Sequence, residues 1–215
     1  MGKNNILDTI LDTGVVAIMR AKSADQLLEA AEAVLAGGVN AIEVTMTTPG
    51  ALDVVRQAVN KFGSTILFGI GSVLDPETAR SAMLAGAQFV VCPTLNIKTI
   101  EICNRYSVPV MPGAYTPTEL LTAWEAGASV VKVFPASAGG PAYIKAVKAP
   151  LPHIRMAAVG GVDLNNTADF IRAGVDIVGV GGELVSQKLL DAKDFASITD
   201  RARRYREEVE RGRQK

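Results

Sequence analysis

"AGASVVKVFP", residues 126–135, sets one lysine, Lys132, inside an otherwise apolar run of strand length. Three other stretches open the same way: "GGVNAIEVT" from Gly37, "AGAQFVVCP" from Ala85 and "AGVDIVGVGG" from Ala173. Each follows a helix-like segment such as "SADQLLEAAEAVLA" or "TPTELLTAWEA". Each places a glycine where a helix ends in left-handed conformation, and then launches a short apolar strand. Between them lie "VVAIMR", "TILFGIG", "VPVMPG" and "RMAAVGG", again followed by helix-like segments. Strands and helices alternating at this length indicate a parallel sheet. Eight such units fit a closed (β/α)8 barrel, the TIM-barrel architecture, as a single domain over residues 1–215, with short loops because the chain is near the lower size limit of that fold. A flavodoxin-like open sheet is the competing arrangement; eight evenly spaced strands favour closure. Before the first strand, "NNILDTILDTG" reads as an extra amphipathic helix with Ile6, Leu7, Ile10 and Leu11 on one side. The charged end, "ITDRARRYREEVERGRQK", reads as the last outer helix with a solvated face.

The 215 residues allow one domain with a substantial core. Lysine plus arginine and aspartate plus glutamate balance at 22 each, which argues against a nucleic-acid partner, since such binders carry a basic excess. The apolar runs are too short to span a membrane, and the start lacks the charged-then-apolar order of a signal peptide, so a cytoplasmic protein is expected. Cys92 and Cys103 stand outside any metal-type spacing and read as two reduced thiols. His153, the one histidine, sits in the loop-like "APLPHIR". Without a His or Cys cluster, no zinc site, no other metal and no cofactor is expected.

Aligned on their glycines, the four related strands carry Glu43, Val91, Lys132 and Gly179 at the equivalent position. They are the second, fourth, sixth and eighth strands, and alternate strands of such a barrel share one interior layer of four side chains. The spacing therefore puts Glu43 and Lys132 in one layer, with Gly179 leaving empty volume between them. A buried salt bridge that merely fills the barrel is one reading, although ion pairs seldom repay their desolvation there. The other is chemical. Burial disfavours the ammonium form, and a neutral amine attacks ketones to form a Schiff base. A desolvated glutamate keeps its proton to higher pH, which suits it to general acid and base work.

The segments "VVAIMR", "GGVNAIEVTMTTPGA", "GIGSVLDPE", "FVVCPTL", "MPGAYTPTEL", "VKVFPASAGGPAYIKAVKAPLP", "VGGVDLNN" and "GVGG" occur in an order that resembles the 2-keto-3-deoxy-6-phosphogluconate (KDPG) and 4-hydroxy-2-oxoglutarate (KHG) aldolases. The resemblance runs from about Val15 to about Val185, and its most specific parts are the K-x-F-P and E-V-T strands. It implies metal-independent cleavage of a 4-hydroxy-2-oxo acid to pyruvate and an aldehyde by a homotrimeric barrel. Its partners would be small molecules, a 2-keto-3-deoxy (phospho)sugar acid and pyruvate, with no membrane involved. On the matching positions Lys132 takes the Schiff-base role and Glu43 the general acid/base role. Arg20, at the end of "VVAIMR", would hold the pyruvate carboxylate with its planar donor fork, helped by Ser72 where the family usually has threonine. Some members carry a second arginine after the E-V-T strand, where this chain has Thr47. Pro93, Thr45 and Phe134 belong to the implied pocket wall.

The far end of a phosphorylated substrate needs an anion cradle. Gly160-Gly161 and Gly181-Gly182 end the seventh and eighth strands, where backbone N–H groups and a helix N-terminus form the usual phosphate site of such barrels. Two hydroxyls of the gluconate pattern are replaced here by Val159 and Gly182, and Glu183 adds a carboxylate. Val159 in "AVGGV", with "GPAYIKAVKAPLP", is similar to the 2-keto-3-deoxy-6-phosphogalactonate aldolases of opposite C4 configuration, whereas "PTEL" and E-V-T lean towards the gluconate branch. A non-catalytic barrel that binds sugar phosphates and a relative of the thiamin-phosphate synthases are the rival readings.

Overall fold

A computed structural model describes residues 2–214. Its strands are β1 (Val15–Met19), β2 (Ala41–Thr45), β3 (Leu67–Gly71), β4 (Phe89–Val91), β5 (Val110–Met111), β6 (Gly113–Ala114), β7 (Val131–Val133), β8 (Met156–Val159) and β9 (Ile177–Val180). They form one parallel sheet in the order β5-β4-β3-β2-β1-β9-β8-β7-β6. The two ends of that order are pieces of a single pass of chain. Pro112 lies between β5 and β6 and has no N–H to give to a ladder, so the strand is interrupted there. On one side Cys92 N–H donates to the Met111 carbonyl at 3.0 Å; on the other, Lys132 N–H donates to the Pro112 carbonyl at 2.9 Å. The ring closes through residues 110–114, giving the eight staves that the repeat predicts.

The four repeat glycines do what the pattern requires: Gly38, Gly86, Gly127 and Gly174 all lie in the left-handed region, with φ between 87° and 110°. Each turns the chain from a helix on the outer layer into an even-numbered stave. Helix starts are equally local. Ser23 caps α2 (Ala24–Ala36), Asp75 caps α4 (Pro76–Leu84), and Thr116 with Glu119 forms a reciprocal capping box on α6 (Pro117–Glu125).

The core has two shells. Residues such as Leu27, Val55, Ile100, Leu120 and Phe170 fill the space between sheet and helices. Inside the barrel a separate apolar set, including Val16, Ala41, Leu67, Phe89, Val130 and Ile177, packs against Ile6, Leu7 and Ile10 of the first helix, α1 (Lys3–Thr13). That helix closes the N-terminal mouth with its apolar side, leaving the C-terminal mouth as the opening. The last helix, α10 (Phe195–Arg213), buries Ile198, Ala202, Tyr205 and Val209 and keeps its charges outside. Its Arg206 and Arg213 both donate to the Asp12 carbonyl at 2.8 Å, satisfying the end of α1 where helical carbonyls lack partners.

Candidate active site

A cavity of about 350 Å³ opens at the C-terminal mouth. Two roomier grooves, about 610 and 630 Å³, lie on the outer helical layer away from Lys132 and Glu43. The mouth cavity is lined by Arg20, Glu43, Ser72, Pro93, Lys132, Phe134 and Val159, by Gly160 and Gly161, and by Gly181 and Gly182. Its walls are the ends of successive staves: Glu43 and Lys132 lie within β2 and β7, and the other residues named sit at, or one to two positions beyond, the end of a strand, so residues scattered over more than 160 positions of sequence meet. Thr45 is placed differently. It is buried at the end of β2 with its hydroxyl 2.8 Å from that of Thr47, and it does not line the cavity.

Glu43 is 2 % exposed and Lys132 6 %. Val91 and Gly179 face the same interior space as Glu43 and Lys132. The salt-bridge alternative is not what forms: among the described residues no carboxylate oxygen lies within 4.0 Å of the Lys132 amine. The amine instead stands 4.9 Å from the centre of the Phe134 ring. Burial holds the Glu43 carboxyl above the ordinary glutamate range, while the charges of Lys132 and Arg20 pull it part of the way back. The pocket thus places an amine, a carboxyl that keeps its proton to higher pH than an ordinary glutamate, and an arginine fork around one space.

Ser72 follows β3 with φ at 61°, a left-handed conformation that is uncommon outside glycine and is often found at functional positions. Gly160 and Gly161 are also left-handed, at 89° and 76°, and a Cβ on Gly161 would fall 2.4 Å from that of Ser137. Gly182 differs: nothing lies within 4 Å of the place its Cβ would take, so packing does not demand glycine there. Between Gly160-Gly161 and the helix α8 (Thr167–Arg172), Asp163 folds the chain by accepting from the N–H groups of Asn165 and Asn166 at 2.7 and 3.0 Å. What remains for an anion is loop backbone. The N–H groups of Gly161, Gly182 and Glu183 donate to no other backbone group among the described residues. Glu183 is exposed at the rim.

The sequence reading passed over Ile18 and Val162, two apolar wall residues, and Gly71 at the end of β3. Strand periodicity could have found Ile18, two positions before Arg20 on the same pleat. Outside the cavity, Cys92 and Cys103 are buried, and burial foremost raises both thiols to about 12, so neither is a nucleophile at neutral pH.

Comparison with known proteins identifies the family. The family model described as KDPG and KHG aldolase matches residues 6–201. A 2-dehydro-3-deoxy-6-phosphogalactonate aldolase of Escherichia coli (strain K12) is 39 % identical over 171 residues, covering 79 % of this chain and 83 % of the relative. A KHG/KDPG aldolase of the same organism is 34 % identical over 199 residues, 91 % and 92 % of the two chains. Among solved structures, the KDPG aldolase from Legionella pneumophila with pyruvate captured as a covalent carbinolamine superposes with a TM-score of 0.86 at 27 % identity, covering 92 % of this chain and 96 % of that one. One barrel and one sequence pattern run through all of them, and this chain belongs to the KDPG and KHG aldolase family.

Proposed function

We propose that this aldolase works through a Schiff base on Lys132 and cleaves 2-keto-3-deoxy-6-phosphogluconate to pyruvate and glyceraldehyde 3-phosphate, with 4-hydroxy-2-oxoglutarate as a further substrate. The carrying observation is the juxtaposition, without an ion pair between them, of a buried amine and a buried carboxyl at the open mouth of the barrel. Buried partners normally satisfy each other, and a pair left apart costs stability that only a ligand recovers. The amine of Lys132 adds to the C2 ketone, and loss of water gives the iminium. Glu43 takes the proton of the C4 hydroxyl as the C3–C4 bond breaks, and the bonding pair moves into the enamine of pyruvate. Protonation at C3 and hydrolysis then free pyruvate and the amine. Arg20 and Ser72 hold the carboxylate of the keto acid. The distal phosphate lies on the N–H groups of Gly161, Gly182 and Glu183, at the exposed rim of the cavity. We read the whole chain as a single cytoplasmic aldolase domain that assembles as a homotrimer. Exposed Leu74, in the loop after β3, and Ile97, at the start of the helix Ile97–Arg105, are joined by the Asn96 bond to the Leu74 carbonyl and give an apolar edge for a second copy.

Val159 in the cavity wall favours a second reading, the galactonate epimer, as does the 39 % identical relative. Pyruvate release from both phosphorylated epimers and from their unphosphorylated counterparts decides the substrate. The first reading expects the highest kcat/KM for the phosphorylated gluconate form. A preference for the galactonate epimer that shifts with Val159→Thr supports the second, and no release from any of the four overturns both.

A further inference from the structure

Gly71 closes β3 in register with Thr45 of β2, and its carbonyl accepts the Met46 N–H at 2.8 Å. A Cβ built on it would stand 1.8 Å from Glu43 Oε1, 2.3 Å from Cδ and 2.6 Å from Cγ, its three nearest neighbours. Such overlap is far inside the ~3.5–4.0 Å at which non-bonded carbons rest. The Glu43 side chain therefore occupies the volume that any other residue at 71 would fill. Backbone conformation is not the reason for glycine here, because Gly71 is absent from the left-handed set that includes Gly160 and Gly161. Two positions earlier on the same face, Gly69 gives way in the same manner to the Phe89 ring, 2.3 Å from its would-be Cβ. The inner face of β3 is bare at two successive inward positions, one for a core ring and one for a carboxylate.

From this contact we infer that Gly71 is a positioning residue: its bare backbone is the seat that keeps the Glu43 carboxylate apart from Lys132 and directed at the cavity. The inference rests on the reading that Glu43 moves protons for a keto-acid imine on Lys132. In the pyruvate half of that reaction Glu43 removes a methyl proton from the iminium. The C–H pair becomes the enamine double bond, and the C=N π pair moves to nitrogen. A donor or acceptor displaced by about 1 Å loses rate on the order of 10²-fold, whereas imine formation by the lysine needs no such alignment with residue 43.

Gly71→Ala is the test. The φ of residue 71 is ordinary and its nearest obstacles belong to a flexible side chain, so the carboxylate yields rather than the strand. Borohydride is expected to trap pyruvate on Lys132 as in the wild type. Exchange of the pyruvate methyl protons with deuterium, followed by NMR, is expected to fall on the order of 10²-fold. Wild-type exchange in Gly71→Ala while Glu43→Gln is slow overturns the inference and leaves the Schiff-base reading standing. Wild-type exchange in Glu43→Gln overturns both. A thermal double-mutant cycle tests the contact independently of turnover: Gly71→Ala lowers Tm when Glu43 is present and loses that effect in a Glu43→Ala background. Equal losses in the two backgrounds overturn it.

Discussion

A carboxyl enclosed in a barrel resists losing its proton, and Glu43 does so despite Lys132 and Arg20 nearby. The unfolded chain releases that proton at the ordinary glutamate value of 4.5, the folded chain only above it. Between the two values the folded state binds more protons, so ionisation at this residue subtracts from stability as pH rises, and the loss persists above the folded value. Below 4.5 both states keep the proton and the difference vanishes. The neutral isostere escapes this cost. Glu43→Gln is therefore expected to raise Tm relative to the wild type at about pH 8 and to leave it nearly unchanged at about pH 4, measured by thermal unfolding across that range. A gain independent of pH, or a loss at pH 8, contradicts the assignment of burial as the dominant influence on Glu43. In the proposed mechanism the same substitution removes the proton carrier, so one residue would trade stability against activity. Such trades are common where a site holds an unfavourable group for chemical use.

At the scale of elements, the barrel is plugged at one end and open at the other, and α1 makes that difference. Ile10 is fully buried against the lowest interior layer, beneath the layer that carries Glu43 and Lys132. Truncating such a residue removes transfer free energy and leaves a void that the staves cannot collapse into. Ile10→Ala is expected to cost about 2–5 kcal/mol by denaturant unfolding, with KM for the keto acid little changed in the folded protein. A cost under about 0.5 kcal/mol, the range of ordinary surface substitutions, would mean that α1 is not part of the core. The amphipathic pattern of Ile6, Leu7, Ile10 and Leu11 made this helix visible in the sequence. Its docking site was not visible, because that depends on inward residues of separate strands, Val16, Ala41, Leu67 and Phe89, meeting only after closure. The break at Pro112 was hidden for a similar reason: a proline in "VPVMPG" shows the missing donor but not which neighbour goes without it.

For the whole molecule, closure of eight staves turns a linear repeat into a ring in which equivalent positions face one another. That is why Glu43, Lys132 and Gly179 could be placed together from three separate stretches, and why Arg20, Ser72 and the glycine pairs fell at the same mouth. Legibility stopped where position depends on local turns. Thr45 shares its strand with Glu43, yet the turn after β2 brings Thr47 onto its hydroxyl and keeps it out of the wall. The Asp163 turn between Gly161 and α8 likewise rests on local side-chain bonds that no strand or helix period shows. Gly71 was unreadable because its role is an absence, the room left for a side chain on the next strand. What the barrel accomplishes is selection: among the described lysines, Lys132 alone lines the mouth cavity. The direct measurement is reduction of the native protein with borohydride in the presence of pyruvate, followed by peptide mass mapping. The account predicts one reduced pyruvate adduct, on Lys132, lost in the unfolded chain and in Lys132→Ala. An adduct on another lysine, or none on the active native enzyme, would contradict it.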